Sequence, residues 1–287
     1  NVDREVLQDL FRGFLDKLPK AGKRDICQAL NGVAKFGLDV GSEDMKAIFA
    51  AYRASDLDPT QAPLNTWYLG GLLWSLGKIN SNNRSQKRKK KNLFGSHANA
   101  IFPALLSDFA DRLGRDKVDP IHISQALAGL RIRGQKKLDQ DKLKLLVFRL
   151  NDLAEKGACN AQVLANSLSN LRKMFRDVDG DPDLQRVMQN LFRIFAHTKG
   201  AKVNEIAQAV SAVTELKISV ETFVLDKILA DFLAAHARSS EGYKVQYGGP
   251  SIGKMVFCLS KLSELPSASL ELREGLVEAF EELPQTR

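Results

Sequence analysis

The segment LANSLSNLRKM, residues 164–174, places Leu164, Leu168 and Leu171 at the spacing of one face of an amphipathic helix. Five other segments share this spacing of apolar residues: ICQALNGVAKF (26–36), LGGLLWSLGKI (69–79), ISQALAGLRIR (123–133), IAQAVSAVTEL (206–216) and IGKMVFCLSKL (252–262). The central apolar residues, which we call the anchors, are Leu30, Leu73, Leu127, Leu168, Val210 and Val256. Most anchors follow one another by about 42 residues, a period that is typical of stacked helical repeats.

A second amphipathic pattern follows every anchor segment, at residues 42–54, 98–113, 140–157, 182–200, 220–237 and 268–284. Asp119 and Asp181 each precede a proline, a pair that is typical of a helix N-terminus. No strand-like alternation competes with the helical pattern. The sequence therefore predicts an all-α fold, an α-solenoid of about six two-helix repeats in a single array over residues 21–287. Residues 1–20 are expected to form one extra helix, the second helix of a preceding repeat in an array that continues upstream.

One interval between anchors is longer than the others, and a basic stretch accounts for the difference. SNNRSQKRKKKN, residues 81–92, is predicted to be a loop inserted into the second repeat. It carries six cations and no acid, and they are Arg84, Lys87, Arg88, Lys89, Lys90 and Lys91. These six residues supply most of the formal net charge of +8. Three interpretations stay open, which are a solvated loop, a contact to RNA phosphates and a nuclear import signal.

Two other positions carry polar side chains of the same kind in several of the anchor segments. The amide column stands two residues before the anchor, at Gln28, Gln125, Asn166 and Gln208. The cation column stands five residues after it, at Lys35, Lys78, Lys173 and Lys261, with Arg131 and Arg133 flanking this position in the third repeat. Both columns face away from the apolar stripe, so amides that can pair with base edges lie beside cations that can contact phosphate. This arrangement suits single-stranded RNA, although lysines near a helix C-terminus also complement the helix dipole.

A third column predicts packing. Three residues before the anchor stand only small side chains: Cys27, Gly70, Ser124, Ala165, Ala207 and Gly253. Small residues let neighbouring helices approach closely, so we expect this column to lie between helices.

No catalytic constellation is visible. The four histidines fall in unrelated repeats, and the three cysteines form no CxxC pair, which fits a reducing compartment. GGPSIGKM, residues 248–255, has the glycine and lysine spacing of a phosphate loop but carries Met255 where that loop needs Ser or Thr. We therefore expect no enzyme activity, cofactor, metal or small-molecule substrate. No apolar run is long enough to span a bilayer, so no membrane partner is expected.

The stretch NAQVLANSLSNLRKMF, residues 160–175, resembles the first helix of two related repeat families. One is the octotricopeptide or heptatricopeptide type of organellar RNA-binding proteins, and the other is the SKWP repeat of bacterial type III effectors. The matching residues are Asn160, Leu164, Ala165, Asn166, Leu168, Leu171 and Lys173. The first resemblance implies an RNA-binding protein of a mitochondrion or plastid, and the second implies a protein that acts in a host cell.

The sequence thus predicts a non-catalytic module that binds single-stranded or structured RNA through the two polar columns and the polybasic stretch. The alternatives are a protein-binding solenoid of a secreted effector and a structural protein of an organellar ribonucleoprotein. Binding to RNA should weaken steeply with salt, whereas a protein interface should depend on exposed apolar side chains of the second helices.

Overall fold

The computed structural model describes residues 3–56, 63–86, 98–131, 138–175, 180–240, 246, 249–259, 261 and 270–281. Within these residues the regular structure is helical and contains no strand, which confirms the all-α class. The α-helices are α1 (Arg4–Asp16), α2 (Lys23–Phe36), α3 (Ser42–Asp56), α4 (Thr66–Gln86), α5 (Ala98–Arg112), α6 (Pro120–Leu130), α7 (Gln140–Glu155), α8 (Ala161–Met174), α9 (Pro182–His197), α10 (Val203–Glu215), α11 (Thr222–Ala237), α12 (Gly249–Leu259) and α13 (Leu270–Glu281). A short 3₁₀ turn, Leu18–Lys20, follows α1.

The contacts within the chain define two compact units, Asn1–Leu146 (unit 1) and Val147–Arg287 (unit 2), and α7 spans the division. In unit 1, α4 packs between α2 and α6, while α3 packs on α2 and α5 packs on α4. In unit 2, α10 packs between α8 and α12, while α9 packs on α8 and α11 packs on α10. Within each unit, helices that carry the anchors thus lie side by side. The single array over residues 21–287 stays a prediction.

The predicted apolar stripe forms the core in five of the six anchor segments. Their anchors are at most 1% exposed, and they are Leu30, Leu73, Leu127, Leu168 and Val210. The prediction is wrong in α12, where Val256 is 49% exposed and Met255 is 1% exposed. Residues 255–257 are three consecutive apolar side chains, so periodicity alone does not decide which one faces inward. The stripe of α12 therefore keeps Ile252 and then runs one residue earlier than predicted, through Met255 and Cys258.

Close packing of α4 against α6 depends on two glycines. A Cβ atom at Gly70 would lie 2.7 Å from the carbonyl oxygen of His122, and one at Gly129 would lie 2.0 Å from the carbonyl oxygen of Leu73. The small column therefore permits the predicted close approach at Gly70. The same prediction is wrong at Gly253, where an added Cβ would meet nothing within 4 Å.

The starts of two helices agree with the signals in the sequence, whereas the end of α4 differs from the prediction. The backbone amide of Ile121 donates to Asp119 Oδ1 at 2.9 Å, and that of Leu184 donates to Asp181 Oδ1 at 3.1 Å. The predicted loop at residues 81–92, by contrast, begins inside α4, which continues to Gln86. No Gly or Pro lies between residues 80 and 86 to end the helix. Arg84 is thus helical, and Lys87, Arg88, Lys89, Lys90 and Lys91 lie outside the described residues.

Length and apolar character decide whether a helix in the described parts of the chain could cross a bilayer. Within them, no helix combines the length and the apolar character that crossing a bilayer requires.

Candidate functional site

Three residues of the predicted polar columns meet in one groove of unit 1. The groove has a volume of about 420 Å³ and lies on the surface of α2, α4 and α6. Gln28 and Lys35 of α2 line it together with Gln125 of α6. The groove is also lined by residues outside the two polar columns, which are Cys27, Asn31, Trp67, Tyr68, Gly71, Leu72 and Trp74. We call this site the unit 1 groove.

Helical spacing explains why these side chains share a surface. Trp67, Gly71, Trp74 and Lys78 follow one another on α4 at intervals of four, three and four residues, so they lie on one helix face. The equivalent face of α2 consists of Arg24, Gln28, Asn31 and Lys35. Because α2 packs beside α4, the two faces meet at the unit 1 groove, and all of these residues except Arg24 and Lys78 line it.

Gly71 leaves a space in the wall that α4 contributes. It occupies the position of the amide column in the second repeat, where other repeats carry a long side chain. A Cβ atom at Gly71 would meet only Asn31 Nδ2, at an ordinary contact distance of 3.7 Å. We call the space above Gly71 the Gly71 slot.

Contacts with neighbouring side chains orient Trp67 and Tyr68 in the groove. The rings of Trp67 and Tyr68 pack edge to face with centroids 4.6 Å apart. The guanidinium of Arg24 lies 5.6 Å from the centroid of the Tyr68 ring, a cation–π distance. Trp67 nevertheless stays 54% exposed. The groove therefore contains an oriented indole with surface available to a ligand.

The electrostatic character of the groove is cationic. Lys35 lines the groove and Lys78 lies beyond it on the same face of α4, and both are exposed. None of the described residues that line the groove is acidic. Cys27 stays neutral because burial raises the pKa of its thiol to about 12. The groove can thus attract an anionic ligand and offer amide donors and acceptors beside aromatic surface.

The columns continue less regularly in unit 2. Asn166 and Lys173 are exposed and Gln208 is half-buried, but Glu215 of α10 occupies the cation position. The guanidinium Nη1 of Arg172 donates to Ser211 Oγ and to Glu215 Oε1. An ion pair therefore interrupts the cation column in α10.

The remaining predicted cations do not extend the column. Lys261 stands six residues after the buried Met255, so the corrected register of α12 removes it from the cation column. Its Nζ atom lies 4.9 Å from the centroid of the Phe257 ring. Arg131 caps the C-terminus of α6 and is half-buried. Arg133 lies outside the described residues.

Unit 2 has a groove of its own, of about 510 Å³, which the sequence did not predict. The side-chain amide of Asn190 donates to Asn151 Oδ1 at 2.9 Å and to Glu155 Oε1 at 2.6 Å. Arg193 donates to Asn190 Oδ1 at 2.9 Å. These polar groups already satisfy one another, so the arrangement favours a structural network over a ligand site.

Features of catalytic and metal sites are sparse in the described part of the chain. No group of three or more His, Cys, Asp or Glu side chains there could share a metal ion. Burial lowers the pKa of His122, and the nearby charge of Asp119 opposes this shift.

A scan of the chain against protein-family models found no match. A search among curated proteins found no similar sequence.

Proposed function

We propose that the chain is a non-catalytic α-solenoid of about six two-helix repeats that binds single-stranded RNA. One observation carries this proposal: Gln28, Lys35 and Gln125, selected by repeat position alone, line one groove with aromatic side chains. The resemblance of residues 160–175 to organellar RNA-binding repeats supports the same function, and with it a location in a mitochondrion or plastid.

The chemistry of the groove matches the parts of a nucleotide. Side-chain amides present a donor and an acceptor to a base edge, and lysines contact phosphate. The helix dipole accounts equally well for Lys35, which lies in the last turn of α2. It does not account for amides and indoles on the same surface, and the combination therefore favours RNA.

The polybasic stretch is an additional phosphate contact in this proposal. Arg84 and the five cations at residues 87–91 would raise affinity for any nucleic acid in a strongly salt-dependent way. A variant in which the five cations at residues 87–91 are replaced by glutamine tests this role. It is preferable to a deletion of residues 84–91, which would shorten α4. We expect weaker RNA binding that is still retained. Complete loss of binding in this variant would show that the polybasic stretch, not the groove, binds RNA.

The main test is fluorescence anisotropy with a short single-stranded RNA over a series of salt concentrations. We compare the intact chain with a Lys35→Ala/Lys78→Ala variant and with a control, Lys20→Ala/Lys117→Ala, that removes two exposed lysines of unit 1 outside the groove. Each phosphate contact on a single strand contributes about 0.7 to the salt slope, so the first variant should lose about 1.4. The control should keep the full slope. Equal losses in both variants, or no binding at low salt, would refute the proposal.

A protein-binding solenoid is the second candidate, because apolar side chains of second helices are exposed. Phe223 of α11 is 60% exposed and Val277 of α13 is 58% exposed, and these two helices pack against each other within unit 2. A protein interface built there should lose its partner in a Phe223→Ser/Val277→Ser variant and depend little on salt. The RNA affinity should be unchanged in that variant.

A further inference from the structure

We infer that the unit 1 groove binds an unpaired nucleobase, which enters the Gly71 slot and stacks on the indoles of Trp67 and Trp74. This inference rests on the proposed RNA binding and adds the part of the RNA that the groove recognises. Its basis is geometric, because Gly71 lies between the two tryptophans on one face of α4 and lacks a side chain that would fill the groove.

The neighbouring side chains complete a site for a base. Asn31 Nδ2 lies 3.7 Å from the position of an added Cβ at Gly71, so an amide donor borders the slot. Gln28 and Gln125 line the same groove and can pair with the edge of a base that stacks on an indole. A base in a duplex already stacks and pairs, so these groups are useful only to an unpaired base.

Trp67 and Trp74 have no aromatic counterparts in α8 and α10. In α12, Phe257 follows the predicted anchor Val256 by one residue but follows the buried Met255 by two, so it leaves the position of Trp74. The positions of α8 and α10 that correspond to Trp67 are Gln162 and Asn204. Positions that correspond to Trp74 carry Ser169 and Ser211. Stacking is therefore local to the unit 1 groove rather than a property of every repeat.

Tryptophan fluorescence reports directly on this groove. The chain contains two tryptophans, and both line it. Stacking of a base on an indole should quench the emission, and the quenching should saturate at the same RNA concentration as the anisotropy signal. A duplex RNA of equal length should quench little. Quenching by duplex equal to that by single strand would overturn the inference.

The decisive variant is Gly71→Leu, which fills the slot. Because an added Cβ at Gly71 makes only an ordinary contact and leucine favours helix, the fold should be retained, and far-UV circular dichroism checks this. We expect the affinity for single-stranded RNA to fall by about five- to 150-fold, the usual range for a lost stacking contact, with an unchanged salt slope. Gly13→Leu in α1 is the matched control, since an added Cβ there meets nothing within 4 Å, and it should bind as the intact chain does.

Two outcomes separate this inference from the proposed function. If RNA binds by anisotropy while tryptophan emission stays constant and Gly71→Leu binds normally, the slot is not a base site and RNA binding elsewhere on the chain stands. If no RNA binds under any condition, both are wrong. A Trp67→Ala variant gives an independent check, because it removes stacking surface without filling the slot and should also weaken binding.

Discussion

At the scale of single residues, two glycines set the distance between α4 and α6. At Gly129 an added Cβ would overlap the carbonyl oxygen of Leu73, and the atom it meets is backbone, which cannot rotate away. The sequence indicated this role only at Gly70, since Gly129 lies outside the small column. A glycine in a helix costs stability unless a close contact requires it, and Gly129 has such a contact.

Replacement of Gly129 by alanine should therefore destabilise unit 1. Forced overpacking costs about 1–3 kcal/mol, and here α4 and α6 would have to separate. Urea unfolding followed by tryptophan fluorescence measures the change. Gly13→Ala in the exposed part of α1 is the control, and it should stabilise the chain by about 0.5–1 kcal/mol because alanine is the better helix former. A stabilising effect at Gly129 would contradict the packing described above.

Cys27 gives a second test at this scale. Its side chain is 4% exposed and its thiol pKa is raised to about 12 by burial, whereas Cys159 is half-buried. The reactive form is the thiolate, so Cys27 should stay unreactive towards a maleimide as the pH rises from 7 to 9. Cys159 should label faster. Mass spectrometry of labelled peptides distinguishes the two sites, and rapid labelling of Cys27 would show that the groove opens in solution.

At the scale of helices, Asn160 illustrates how a family-like motif can serve local structure. Its Oδ1 atom accepts a hydrogen bond from the backbone amide of Val163 at 2.9 Å and so caps α8. Asn160→Ala should cost about 1 kcal/mol of the free energy of unfolding, because the cap is lost. Asn160→Asp keeps the acceptor and places a negative charge at the helix N-terminus, so it should be at least as stable as the intact chain. Equal destabilisation by both changes in chemical denaturation would contradict the capping role.

Helix positions were predictable because periodicity and caps are local properties of the sequence. Asp119 and Asp181 marked helix starts, and the buried anchors followed the predicted spacing in five segments. The register of α12 was not predictable, since Met255 and Val256 are both apolar. The set of residues that line the unit 1 groove was also not predictable from the sequence, because it depends on which helices pack side by side. One signal was present: Trp67 precedes Gly71 by a single helical turn and so extends the face of the amide column.

At the scale of the whole molecule, the positive charge is unevenly distributed along the sequence. Six of the cations lie in residues 84–91, and Glu215 interrupts the cation column in unit 2. Affinity for RNA at low salt therefore reflects the polybasic stretch as well as the groove. Tryptophan quenching separates these contributions, because it responds to the groove alone.

The two units can be followed separately during unfolding, since Trp67 and Trp74 both belong to unit 1 while circular dichroism reports helices throughout the chain. Leu168 in unit 2 and Leu127 in unit 1 are both 0% exposed, so alanine at either site should cost about 2–5 kcal/mol. We expect Leu168→Ala to lower the urea midpoint seen by circular dichroism while the fluorescence midpoint changes little. Leu127→Ala should lower the fluorescence midpoint. If each variant shifts both midpoints equally, the chain unfolds as one cooperative structure, and the units defined by contacts are not units of stability.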